Sequence, residues 1–126
     1  MILLVNNIDL GDNNEITTEK DNLGGICGIN RDGLVSDCSI GNNNTIKSLS
    51  KAYAYVGGIC GNTFYRSKQL TNCNIGDNNI IILSNPENNN LITLQLGGIC
   101  GSNNINILNC SIGNNNKFIS PKLVKD

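Results

Sequence analysis

Tryptophan and histidine are missing from this chain, and its 126 residues include only two prolines, two phenylalanines and one methionine. The lack of histidine removes the side chain that most often serves as a base or metal ligand near neutral pH. Ser-His and Cys-His nucleophile pairs are excluded with it, as are zinc sites that use His. Charge is scarce too. Nine Lys and Arg stand against ten Asp and Glu, scattered singly, for a net charge of −1. Phosphate neutralisation needs a basic patch, so no nucleic-acid partner is expected. No apolar run approaches the roughly 20 residues of a membrane-spanning helix, so no membrane insertion is expected either. The opening Met1-Ile2-Leu3-Leu4-Val5 is too short for a signal-peptide core. Either the chain is not secreted by that route, or a signal has been removed from it.

What the chain has is 25 asparagines and 18 isoleucines. Asn disfavours helix interiors and accepts left-handed turn conformations. Ile is β-branched and favours strands. Ile-rich pieces alternating with Asn-Gly pieces predict many short strands joined by tight turns, with almost no helix.

Two motifs recur. The apolar-Gly-Gly-Ile-Cys-Gly motif runs from Leu23 to Gly28, Val56 to Gly61 and Leu96 to Gly101. A second motif begins at Asn7, Asp37, Asn72 and Asn109 and ends in an Asn pair or triplet at Asn14, Asn44, Asn79 and Asn116. An apolar residue precedes each copy at one offset (Val5, Val35, Leu70, Ile107) and another follows (Ile16, Ile46, Ile81, Phe118). From Ile8 through Cys38, Cys73 and Cys110 the period is 30, 35 and 37 residues. No single repeat has enough apolar residues for a core. Stacking equal positions at the roughly 4.8 Å spacing of paired strands provides one. The expected fold is all-β, a β-solenoid wound as a right-handed parallel β-helix of about three and a half coils, one repeat per coil.

The expected layout is a single domain over residues 1–126. A partial coil at 1–18 leads full coils at 19–48, 49–84 and 92–120, with an inserted loop at 85–91 and a tail at 121–126. Each repeat supplies three strand-like pieces: GGICG, the piece around the second Cys, and the piece after the Asn run. The stretch from Ile80 to Leu96 reads as a projecting hairpin, or as strands that need a neighbour. At Gly41-Asn42-Asn43-Asn44 and its equivalents the turn needs positive φ, and the Asn side chains are placed to bond to the next coil. Calcium is not expected, because these runs carry at most one Asp each.

The order Gly24-Gly25-Ile26-Cys27-Gly28, then Gly33-Leu34-Val35-Ser36-Asp37-Cys38 and Gly41 resembles the GLUG-type repeat of bacterial surface proteins. The likeness extends over residues 23–119, although the second and third copies lack the middle Gly. The resemblance implies a β-solenoid in a structural or surface setting, extracellular or on a cell or virion surface. It carries no catalytic residue.

Each full repeat has one Cys in each of two pieces: Cys27 with Cys38, Cys60 with Cys73, Cys100 with Cys110. Parity favours three disulfides within repeats, each contributing roughly 2–3 kcal/mol. The alternative is six reduced thiols acting as small apolar residues in columns. No CxxC spacing is present, so neither metal nor cofactor is expected. An acid–base pair would have to come from Asp9 with Asp37 or Asp12 with Asp77. These positions hold Asn or Ser in other repeats, the pattern of a solvated face, and no enzyme is expected.

A partner surface is better sought at Tyr53, Tyr55, Phe64, Tyr65, Arg66 and Lys68, where aromatic and basic side chains gather. This would suit an adhesin or a glycan- or protein-binding module using residues 62–69. The leading expectation is different. A solenoid has two open edges. Pro121, Lys122 and Lys125 offer a blunt cap at one of them, and Met1 to Val5 offer none at the other. The expected partner is therefore a second copy of the chain, stacking head to tail into a fibre or surface layer.

Overall fold

The computed structural model describes residues 4–50, 53–64, 69–84 and 93–120. Among these residues there is no helix, and seventeen short strands form five sheets in which every pairing is parallel. Neighbours in a sheet come from consecutive repeats. The fold is all-β, of stacked parallel sheets, consistent with a β-solenoid.

The first sheet joins β1 (Leu4–Asn6), β5 (Leu34–Ser36), β10 (Gln69–Thr71) and β15 (Ile107–Leu108). Its register sets Val5, Val35, Leu70 and Ile107 in one column. A second sheet of β6 (Ser39–Ile40), β11 (Asn74–Ile75) and β16 (Ser111–Ile112) is extended by a single bridge from Asp9 to Ser39. The third joins β2 (Glu15–Thr18), β7 (Thr45–Ser48), β12 (Ile80–Leu83) and β17 (Lys117–Ile119), with Ile16, Ile46, Ile81 and Phe118 in line. These are the two apolar columns that the repeat spacing predicts.

The GGICG motif forms two strands rather than one. β3 (Asn22–Gly24), β8 (Tyr53–Gly57) and β13 (Thr93–Gly97) make the fourth sheet. β4 (Cys27–Asn30), β9 (Cys60–Thr63) and β14 (Cys100–Ser102) make the fifth. The chain turns at the second Gly and Ile, and the bend itself is stacked: the Gly25 amide donates to the Gly58 carbonyl at 2.8 Å, and Gly58 to Gly98 at 2.8 Å. A Cβ on Gly25 would collide with the Gly58 carbonyl and the Ile40 side chain, so close approach is what requires glycine here.

The hairpin expected from Ile80 to Leu96 is not formed by its described parts. Ile80–Leu83 pairs with β7 and Thr93–Gly97 pairs with β8, in two different sheets. Parallel pairing with the previous repeat takes the place of pairing between the two runs. The loop expected at 85–91 and the tail at 121–126 lie outside the described residues.

Columns also define the core. Val35, Ile46, Val56, Ile59, Leu70 and Ile81 are all within about 1% of complete burial. Burial fails at the column ends, where Ile8 is 47% and Phe118 43% exposed, although Cys38 and Ile81 one place inward are sealed. Replacing Leu70 by Ala should therefore cost about 2–5 kcal/mol in urea unfolding. Leu108→Ala, at an exposed position of the last strand of the first sheet, should cost under about 1 kcal/mol.

Candidate functional site

The asparagine turns connect the second and third sheets, and their geometry repeats in every copy. Asn13, Asn43, Asn78 and Asn115 hold φ between 58° and 60°. This left-handed region is the one Asn tolerates best among residues with a Cβ. A second left-handed column, Asn7, Asp37, Asn72 and Asn109, lies just before the Cys positions with φ from 53° to 57°. The sequence signal for it is the invariable Asn or Asp that opens each motif copy. Gly41, Gly76 and Gly113 do not have positive φ. Glycine is needed there because an added Cβ would lie 2.6–2.7 Å from the carbonyl oxygen of the glycine one repeat before.

Two side-chain ladders run through these turns in opposite senses. In the first, the side chain reaches toward the preceding repeat. The backbone amides of Asn14, Asn44 and Asn79 donate to Oδ1 of Asn44, Asn79 and Asn116, each at 2.8 Å. Nδ2 of the same side chains donates to the preceding glycine carbonyl: Asn44 to Gly11, Asn79 to Gly41, Asn116 to Gly76. Asn44 and Asn79 are buried, so both polar ends of each amide are matched where water cannot compensate. The Asn side chains thus bond to the backbone of the adjacent repeat.

In the second ladder the side chain reaches forward. Asp12, Asn42 and Asp77 each accept through Oδ1 from the amide of Asn42, Asp77 and Asn114, at 2.7 Å. The four carboxylates considered for acid–base chemistry are therefore rungs of ladders. Asp12 and Asp77 are engaged one repeat apart. Asp9 accepts from the Gly11 amide and the Ser39 hydroxyl, and Asp37 from Asn72 Nδ2.

Opposed ladders make the two ends of the stack complementary. At the last repeat, the Asn116 and Asn115 amides, the Gly113 carbonyl and Asn114 Oδ1 meet no hydrogen-bond partner among the described residues. At the first repeat, Asn14 has no preceding glycine to reach, and its Nδ2 turns to its own Leu10 and Asp12 carbonyls. Apolar side chains lie beside these open groups: Leu4 and Ile8 at the first end, Leu108, Ile112, Phe118 and Ile119 at the last.

The cysteines form two columns. Register sets Cys27, Cys60 and Cys100 side by side at the start of the fifth sheet's strands. Cys38, Cys73 and Cys110 precede the second sheet. All six are free thiols, and the within-repeat bridges expected from parity are not formed. Neighbours within reach are column neighbours: Cys60 lies between Cys27 and Cys100, and Cys73 between Cys38 and Cys110. In-register stacking brings like residues together, which counting thiols per repeat does not capture. Each first-column thiol donates to the carbonyl two residues ahead (Ile29, Asn62, Ser102), and each second-column thiol to the one two residues behind (Ser36, Thr71, Leu108).

The thiols are not equivalent. Cys27 is lowered to about 7, chiefly by the Cys60 S–H beside it, against the opposing effect of burial and with help from the Ile29 backbone. Cys100 is lowered by the same Cys60 thiol. Cys60, holding a proton between two sulfurs and fully buried, is pushed up. Burial pushes Cys73 up to about 12.

Of the proposed partner residues, Tyr55 is half-buried in β8, beside Asn22 and Gln95 of the neighbouring strands. Tyr53 opens the same strand, across from Thr93. Phe64 is half-buried under the Arg31 guanidinium, 5.1 Å from the ring centre. Tyr65, Arg66 and Lys68 lie outside the described residues. Among the described residues no cluster of three Cys, Asp or Glu is arranged to hold a metal, and no helix is long and apolar enough to cross a membrane.

The class defined by this geometry is an all-β repeat protein of parallel sheets with asparagine-laddered turns. No known family model, curated protein or solved structure matches the chain.

Replacing Asn79 by Ala should strand the Asn44 amide and the Gly41 carbonyl and lower stability by about 2–5 kcal/mol in urea unfolding. Asn78→Gly, which keeps the left-handed φ, should change it by less than about 1 kcal/mol. The buried thiols set an alkaline limit. Cys60 and Cys73 keep their protons above the ordinary thiol value of 9. Their contribution is complete below pH 9 and is lost as pH rises from 9 toward 12, because only the unfolded chain ionises there. Cys27 acts oppositely, with a contribution present above pH 9 and lost as pH falls through about 7. Urea midpoints should therefore fall from pH 9 upward, and Cys73→Ala should flatten that decline.

Proposed function

We propose that this chain is a non-catalytic structural protein whose copies stack head to tail into a fibre or surface layer. In this reading the sheets wind as a right-handed β-solenoid of about three and a half coils, and a second copy acts as the next coil. The observation that carries it is the complementarity of the asparagine turns in the first and last described repeats. A copy placed on the last repeat brings Asn14 over Asn116. Its Oδ1 then accepts from the Asn116 amide, and its Nδ2 leaves the Leu10 carbonyl for that of Gly113. Asn114 Oδ1 accepts from the incoming Asp12 amide. Ile8 and Ile16 cover Cys110 and Phe118. Such a contact joins different surfaces of each copy and does not close on itself, so it propagates.

The resemblance to GLUG-type repeats supports a surface setting for such an assembly. It adds no chemistry to the ends.

The test uses one blocked end at a time. Ile8→Lys disables the first end and Phe118→Lys the last, at positions already exposed. Wild-type protein should form rods of constant width that lengthen with concentration in electron micrographs. Each variant alone should sediment as a monomer, and the two mixed should give dimers and nothing longer, because each keeps the face the other lacks. Wild-type protein that stays monomeric at every concentration overturns the reading.

A further inference from the structure

The column of Cys27, Cys60 and Cys100 opens into a cleft. At the first end of the stack, β1 and β4 leave a space of about 330 Å³ between them, lined by Leu4, Val5, Cys27, Ile29, Arg31 and Leu34 among others. Cys27 is half-buried, with its side chain in the lining of this space. Behind it lies Cys60, fully buried and in register. Strands paired in register are about 4.8 Å apart, inside the roughly 4.4–6.8 Å range of Cα separations that a disulfide spans. Three features thus coincide: a half-buried thiol in the lining, a mostly apolar cleft with Arg31 at its edge, and a second sulfur directly behind the first. No other thiol lines this cleft.

We propose that Cys27 is a thiol-exchange site for small organic disulfides, with Cys60 as the thiol that resolves the adduct. The Cys27 thiolate attacks one sulfur of the disulfide RS–SR. A Cys27–SR bond forms, the S–S bond breaks, and the released RS⁻ takes a proton from water. Cys60 then attacks the Cys27 sulfur, and its proton passes to the second RS⁻, which leaves as RSH. Two protein thiols are oxidised to one Cys27–Cys60 bridge, and one small disulfide is reduced to two thiols.

The division of roles follows from the shared proton. Cys60 has one S–H and two sulfur neighbours, so it can support a thiolate on only one side at a time. Cys27 benefits on the side that faces the cleft. Its value of about 7 leaves a large thiolate fraction at neutral pH without the loss of nucleophilicity that a much lower one brings. Cys60 is held protonated by its hydrogen bonding to Cys100 and Cys27 and by burial, and the adduct at Cys27 removes one of these influences. Arg31, the one charged residue in the lining, suits a disulfide that carries carboxylates.

The experiment treats fully reduced protein, dilute enough to be monomeric so that the first end is uncovered, with oxidised glutathione at pH 7.5, quenches with acid at intervals, and maps the products by mass. The first product should carry one glutathione on Cys27. It should give way to a species two hydrogens lighter than the reduced chain, bridged from Cys27 to Cys60. Cys60→Ser should stop at the Cys27 adduct, and the initial rate should rise as pH passes through about 7. A first adduct on any other cysteine, a bridge from Cys27 to Cys38, or no reaction of the folded protein overturns the proposal. If Cys60→Ser does not fold, the wild-type product map decides alone.

Discussion

The columns on either side of each turn depend on a hydrogen bond between the backbone of one repeat and the asparagine side chain of the next. The side-chain amide has an acceptor and a donor about one peptide group apart. In the turn, Asn79 uses both, accepting from the Asn44 amide and donating to the Gly41 carbonyl. A shift of one residue along the chain would break both bonds and turn Ile75 and Ile81 away from the core. The ladder therefore fixes the register. The short strands on either side, some only two residues long, could not fix it by themselves.

The stacked glycines depend on the same register. Gly41, Gly76 and Gly113 leave no room for a Cβ because the repeats lie at sheet spacing even at their turns. Isoleucine columns fill the interior under the same constraint, each residue covered by its counterparts above and below. Stability is consequently greatest in the middle repeats and declines toward both ends, as expected when each unit contacts only its neighbours. Among the described residues, the outermost turns keep the same pattern of donors and acceptors as the interior, without a neighbour to meet it.

Much of this was legible in the sequence because a column in space is a repeat in the chain. Aligning the Asn motifs identifies Val35 with Leu70 and Ile46 with Ile81, and those pairs are in register. Other features were hidden for physical reasons. The break between Gly24 and Cys27 leaves no trace in a motif that reads as one apolar run, since Gly, Ile and Cys suit both strand and bend. The interval from Ile80 to Leu96 looked like a hairpin because two apolar runs flank a polar segment. Parallel pairing with β7 and β8 competes with that local pairing and wins. The cysteines misled in an instructive way. Two thiols per repeat suggest a bond within the repeat, but the distance that matters is the spacing between strands, which sets Cys60 beside Cys27 and Cys100.

The same spacing sets Cys27, Cys60 and Cys100 in one row, each beside the next. The most direct check on the register that underlies all of this is the asparagine ladder itself. NMR scalar coupling across hydrogen bonds can be read between the Asn44 backbone nitrogen and the side-chain carbonyl carbon of its acceptor. The account predicts that the coupled carbon belongs to Asn79, 35 residues away. A coupling to any residue of Asn44's own repeat, or rapid solvent exchange of that amide, would contradict it.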